Sequence, residues 1–156
     1  MLSINDIAPD FNLHDQHGEA HTLSQYKGSY VLVYFYPKDD TPGCTKQACM
    51  IRDIYDDFQK KGIVVIGISA DSPKSHKKFA EKYELPFTLL SDEDKSIIEA
   101  YGALKNKSMF GKTFLGIIRS SFLIDPQGTI ARVYPKVDPA THATQILADV
   151  DELLKK

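Results

Sequence analysis

Two near-continuous apolar runs constrain this chain most, YVLVYFY at residues 30–36 and IVVIGIS at residues 63–69. Neither alternates polar with apolar, so both faces of each strand have to be covered, the pattern of buried central strands in an α/β sheet. Between them Ala48, Ile51, Tyr55 and Phe58 recur at helical spacing, and Gly62 stands where a helix-ending glycine belongs. The segment reads as a β-α-β unit.

The rest of the chain extends that unit. Residues 72–83 (SPKSHKKFAEKY) open with a serine cap and a proline at the first helical position, and they place Phe79 and Tyr83 on one face. Residues 86–92 predict a short strand and 92–102 a short helix closed by Gly102. SSFLID, PQG and TIARVY (120–134) predict a hairpin, and 141–156 an amphipathic helix with Ile146, Val150, Leu153 and Leu154 inward. With a hairpin-like segment at 11–23, the order is that of one domain over 1–156. It has a central mixed β-sheet with helices on both faces, a three-layer α/β/α arrangement of thioredoxin-like type.

Composition narrows the partners. With 19 basic and 21 acidic side chains the net charge is −2, which gives no footprint for nucleic acid. No apolar stretch is long enough to span a membrane, and the acidic N-terminus lacks the apolar core of a signal peptide. The expectation is a cytoplasmic chain, where a cysteine pair is more often reactive or metal-binding than a static brace.

The only two cysteines, Cys44 and Cys49, fall in YPKDDTPGCTKQAC (36–49), where the first long strand gives way to a helix. Thr41 suits the N-cap and Pro42 the first helical position, which puts Cys44 at the third. There the helix dipole and unpaired backbone N–H groups favour a thiolate, and the threonine is placed to interact with it much as in a capping box. The site also lies at the carboxyl end of a central strand, where α/β sheets carry their chemistry.

Cys44 shares the apolar stripe, so it faces the sheet, whereas Cys49 lies about 140° round the helix and roughly 8.7 Å away between Cα atoms. Disulfides need less than about 7 Å, so a bond between them requires the first turns to unwind. Spacing alone fits two small buried apolar residues equally well. A CxxC redox motif is absent, and structural zinc lacks two further ligands nearby.

PKDDTPGC (37–44) matches the P-x-x-x-T-x-x-C motif of the peroxiredoxins, and FYPKDDTPGCTKQAC resembles their bacterioferritin comigratory protein (PrxQ) branch. APDFNLHDQHG, IVVIGISADSP, FTLLSDED and RSSFLIDPQG extend the resemblance over essentially the whole chain. It implies a thioredoxin-fold antioxidant peroxidase acting on hydrogen peroxide and organic hydroperoxides, without metal, flavin or haem. Cys44 matches the peroxidatic cysteine, oxidised to a sulfenic acid, and Cys49 the resolving cysteine that condenses with it into an intramolecular disulfide. Thioredoxin or a similar dithiol then restores both. Thr41 matches the threonine that binds thiolate and peroxide, Pro37 the proline that shields the sulfur, and Arg119 the arginine that fixes the thiolate and polarises the peroxide. Many relatives carry Glu at the position of Gln47, which here has no charge. An intramolecular cycle needs no second subunit, so a monomer is expected.

Peroxide reduction is displacement on oxygen by a thiolate, and its larger requirement is stabilisation of the departing oxygen by preplaced donors. Arg119 and the backbone N–H groups of Gly43 and Cys44 are the candidates. Arg52, three positions after Cys49, is a candidate to help place the first turns of that helix. Met109 and Phe110 are expected in a loop, as an exposed patch near the site or a partner contact. His14, His17 and His21 cluster in the N-terminal hairpin without evident carboxylate or thiol partners, so a metal site is not expected there. GKT (111–113) lacks the glycine a phosphate loop needs, since Asn106 stands in its place. Two rivals remain: a thiol–disulfide oxidoreductase that never meets peroxide, and a thioredoxin-fold binding or chaperone module with inert cysteines.

Overall fold

The computed structural model describes residues 1–155. The N-terminal hairpin is β1 (Asn12–Asp15) and β2 (Ala20–Thr22), followed by a 3-10 turn, β3 (Tyr30–Phe35), α1 (Pro42–Asp53), α2 (Tyr55–Lys60) and β4 (Ile63–Ser69). Next come α3 (Pro73–Tyr83), β5 (Thr88–Ser91), α4 (Ser96–Ala100), β6 (Leu104–Met109), β7 (Lys112–Ile117), β8 (Ser120–Ile124), β9 (Ile130–Tyr134) and α5 (His142–Leu154). Seven strands form one sheet in the order β2-β1-β5-β4-β3-β8-β9. The centre, β5-β4-β3, is parallel, and β8 pairs antiparallel with β3. This is the mixed sheet that the apolar runs require.

Alternation along β3 assigns the two faces. Leu32, Tyr34 and Tyr36 pack with Cys44, Ala48 and Ile51 of α1, Phe58 of α2, Phe79 of α3 and Ile146 and Val150 of α5. Val31, Val33 and Phe35 point the other way, against Ile98 of α4, Tyr101, Phe122 and the N-terminal Phe11. Burying each of the Val, Leu, Ile and Phe side chains among them contributes roughly 1.5–3 kcal/mol. Ser72 caps α3 by accepting from the Ser75 N–H at 3.1 Å, as SPKS predicts.

Four expectations need correction. The stripe from residue 44 to 58 is not one helix: at Ile54 (φ −119°, ψ 23°) the backbone leaves helical geometry, and α2 starts afresh. Leu154 is 55% exposed and Leu153 only partly buried, so the inward face of α5 is His142, Ala143, Ile146 and Val150. Met109 is the last residue of β6 rather than part of a loop, while Phe110 (φ 52°) forms the turn of the β6–β7 hairpin with Gly111 (φ 77°), and both side chains are exposed as expected. That hairpin was hidden because LKNKSM and KTFLGI lack a clean alternation. Finally, His21 does have a carboxylate partner: one ring nitrogen lies 2.7 Å from Asp15 Oδ2, and the other lies 2.6 Å from the Tyr26 hydroxyl. Both ring nitrogens are thus occupied within the protein.

A buried histidine gives the fold a pH dependence. His142 Nε2 lies 2.8 Å from Ser121 Oγ, and burial pushes its pKa down to about 4 from 6.5. The folded state therefore disfavours the proton that the unfolded chain binds below pH 6.5, so stability falls as pH drops from 6.5 to about 4. The loss is on the order of 3 kcal/mol as an upper bound. Urea unfolding across that window should show the decline, and His142→Gln should flatten it; an unchanged slope in the variant would assign the effect elsewhere.

Candidate active site

The register of the sheet brings the candidates together. Phe35, the last residue of β3, pairs with Ser120, the first of β8, so Arg119 lies beside the carboxyl end of β3. The chain leaving β3 runs through residues 36–41 into α1, with Thr41 at the N-cap, Pro42 first and Cys44 third, as the sequence predicts. Cys44 is buried against the sheet at 2% exposure, and Cys49, on another side of the same helix, is half-buried. Both thiols are free.

Arg119 joins the two sides. Its Nη2 donates to Cys44 Sγ at 3.2 Å, and its Nη1 donates to Gln47 Oε1 at 2.8 Å. Gln47 is itself buried, and its Nε2 has no partner among the described residues. An amide oxygen thus holds the guanidinium without adding a negative charge beside the sulfur. This answers what Gln47 does where a glutamate would be expected: it orients Arg119.

Gly43 has a definite reason to be glycine. A Cβ built there would lie 3.1 Å from Arg119 Nη2 and 3.6 Å from its Cζ, so the missing side chain leaves the guanidinium its place.

Thr41 departs from the capping expectation. Its hydroxyl donates to the Lys38 carbonyl at 2.9 Å and caps no helical N–H, while the first helical bond runs from the Thr45 N–H to the Thr41 carbonyl at 2.8 Å. The N–H groups of Gly43 and Cys44 therefore have neither an intrahelical partner nor a side-chain cap. Spending its proton on Lys38 also presents the hydroxyl oxygen of Thr41 as an acceptor. Pro37 stands exposed just past β3 and ends the strand. Arg52 lies in the last turn of α1, away from its start: it donates to the Tyr83 carbonyl at 2.8 Å and pairs with Asp53, clamping that end of the helix to α3.

The motif reading missed Tyr36, Asp39 and His76, which form a buried polar network beneath the loop. Only the doubled aspartate of PKDDTPGC hinted at it. A cavity of about 290 Å³ lies at the opposite end of β3, between Ser29, Val31 and Ile124, and none of the candidate residues lines it.

A sulfur that accepts from a guanidinium at an uncapped helix start stands where donors converge, and the same donors can be presented to an incoming oxygen. The comparisons with known proteins agree with that chemistry. Residues 4–133 match the AhpC/TSA family. The chain is 44% identical over 155 residues to peroxiredoxin Bcp of Bacillus subtilis, covering 99% of both chains. It is 50% identical over 146 residues to peroxiredoxin Bcp of Escherichia coli K12, covering 94% of both. Among solved structures, peroxiredoxin Q of Xylella fastidiosa superposes with a TM-score of 0.92 at 31% identity, over 99% of this chain and 98% of that one. The bacterioferritin comigratory protein of Xanthomonas campestris, studied for its alkyl peroxide reduction activity, gives 0.89 at 37% identity, over 97% of this chain and 96% of that one. The chain carrying this arginine-bound cysteine therefore belongs to the AhpC/TSA family, in its Bcp/PrxQ peroxiredoxin branch.

Proposed function

We propose that this peroxiredoxin reduces hydrogen peroxide and organic hydroperoxides with Cys44 as the nucleophile. The observation that carries the assignment is the 3.2 Å contact from Arg119 Nη2 to Cys44 Sγ at a helix start with no side-chain cap. The Cys44 thiolate attacks one peroxide oxygen along the O–O bond. That bond breaks heterolytically, and the departing oxygen leaves with the bonding pair, takes a proton and becomes water or an alcohol. The sulfur is oxidised to a sulfenic acid. Arg119 and the Gly43 and Cys44 N–H groups stabilise the charge that builds on the departing oxygen, with the Thr41 hydroxyl orienting the peroxide and Pro37 limiting water at the sulfur.

Cys49 then attacks the sulfenic sulfur and expels its oxygen as water, leaving a Cys44–Cys49 disulfide. Both cysteines belong to α1, so this step requires helix unwinding. A dithiol of the thioredoxin type restores the thiols by exchange, each disulfide accepting two electrons. The nucleophile, the resolving thiol and the donors of this scheme come from the chain itself, and the external dithiol supplies the two electrons. Because resolution is internal, the working unit is a monomer. A reducing compartment, the cytoplasm, suits a pair whose spacing forbids a static disulfide; among the described residues no helix is long and apolar enough to cross a membrane.

Peroxide consumption in the presence of thioredoxin and its reductase tests the assignment. Cys44→Ser abolishes turnover, whereas Cys49→Ser keeps the first oxidation and stalls recycling; normal turnover in both variants would overturn the site. Gly43→Ala crowds the guanidinium at 3.1 Å. It should slow the oxidation of Cys44 by on the order of tenfold or more while barely changing the unfolding midpoint. A wild-type rate in this variant would show that the position of Arg119 is not critical.

A further inference from the structure

The loop before α1 is held very unevenly. Asp39 is buried, and its Oδ1 accepts from the Tyr36 hydroxyl at 2.6 Å. Burial first, then the charge on Asp39, hold that phenol well above its ordinary range, so it is a fixed donor. Asp39 Oδ2 accepts from Ser75 Oγ at 2.8 Å and faces His76 Nδ1 at 2.7 Å. The Asp39 N–H donates to Asp71 Oδ2 at 2.9 Å, an oxygen that also accepts from Ser69 Oγ. One residue later the hold loosens. Asp40 is exposed and left-handed (φ 57°), with its carboxylate on Lys82 and the Tyr83 hydroxyl at the surface, and the Thr41 side chain reaches only Lys38.

His76 is the pivot of the network. It is fully buried in α3, and its Nε2 donates to the Leu90 carbonyl of β5 at 3.0 Å. A carbonyl only accepts, so that nitrogen must carry a proton, and a further proton must lie between Nδ1 and the carboxylate. Asp39 is thereby tied to the end of β3 through Tyr36, the residue that follows that strand, to α3 through Ser75 and His76, and through His76 to β5. Three elements of the domain's rigid part converge on the residue that precedes the left-handed Asp40.

Building on the Cys44–Cys49 cycle proposed above, we infer that Asp39 and His76 are positioning residues: they form the fixed end from which residues 40–50 unwind, with left-handed Asp40 as the hinge. In the reduced enzyme they hold the loop so that the Gly43 and Cys44 N–H groups and Arg119 converge on one point. After oxidation the same anchor confines movement to the segment beyond it, while Arg52 on the Tyr83 carbonyl holds the other end.

Rapid mixing that resolves Cys44 oxidation from disulfide formation tests this in full-length variants. His76→Leu removes the pivot and should slow oxidation tenfold to a hundredfold, roughly the penalty for an ångström of misplacement, without slowing disulfide formation. Ser75→Ala removes one arm, is well tolerated sterically and should shift oxidation the same way by a smaller factor, so the inference stays testable if His76→Leu does not fold. In Asp39→Asn the amide Nδ2 can donate to a neutral His76 Nδ1 and to Ser75 Oγ while Oδ1 still accepts from Tyr36. It should stay near wild type in both steps, rescuing geometry without the charges. A parallel fall of both steps with the melting temperature would reduce the network to a structural role and overturn the inference. So would unchanged rates in both His76→Leu and Ser75→Ala, or an Asp39→Asn variant as impaired as His76→Leu. Wild-type protein oxidising no faster than free cysteine would instead overturn the peroxidase reading itself, and this inference with it.

Discussion

The guanidinium of Arg119, shared between Cys44 Sγ and Gln47 Oε1, is the interaction on which the site depends. It comes from the residue before β8 and reaches across to the first turns of α1, so it exists only because β8 pairs antiparallel with β3 in the observed register. A one-residue slip would turn every side chain of β8 to the opposite face and take the sheet's packing with it. Gly43 has no side chain where the guanidinium passes, and Gln47 offers an uncharged acceptor beside a sulfur that must carry negative charge. Placement of the cation thus links strand pairing, helix start and chemistry.

The same helix faces two opposed demands. Attack on peroxide needs α1 intact, because its uncapped N–H groups and the arginine must converge on one point. Resolution needs α1 disrupted, because an intact helix holds Cys44 and Cys49 roughly 8.7 Å apart, beyond a disulfide's reach of about 7 Å. In the proposed cycle oxidation is the trigger, since adding an oxygen to the Cys44 sulfur disturbs the contact that Arg119 makes with it. At the other end α1 stops at the break at Ile54, and Phe58 is buried in the core on a helix of its own.

Much of this was legible in the chain, for identifiable reasons. The buried strands were readable because a parallel strand covered on both faces needs an uninterrupted apolar run, and residues 30–35 and 63–69 supply it. The helix start was readable because threonine and proline have strong positional preferences. The β6–β7 hairpin was not, since a two-stranded ribbon standing off the main sheet buries too little to impose alternation on its sequence. Nor was the bond of the Thr41 hydroxyl to Lys38, because an N-cap preference fixes backbone geometry more firmly than the partner its side chain selects. The Asp39–His76 contact joins residues 37 apart, and pairing at that distance leaves no local trace.

The most direct measurement of the central claim is intact mass with non-reducing peptide mapping, after fully reduced protein is mixed with one equivalent of hydrogen peroxide. The account predicts, within seconds, a product lighter by two hydrogens in which the peptides bearing Cys44 and Cys49 are joined. Protein that keeps both thiols on that timescale, or that stops at a stable sulfenic acid with Cys49 still free, would contradict it.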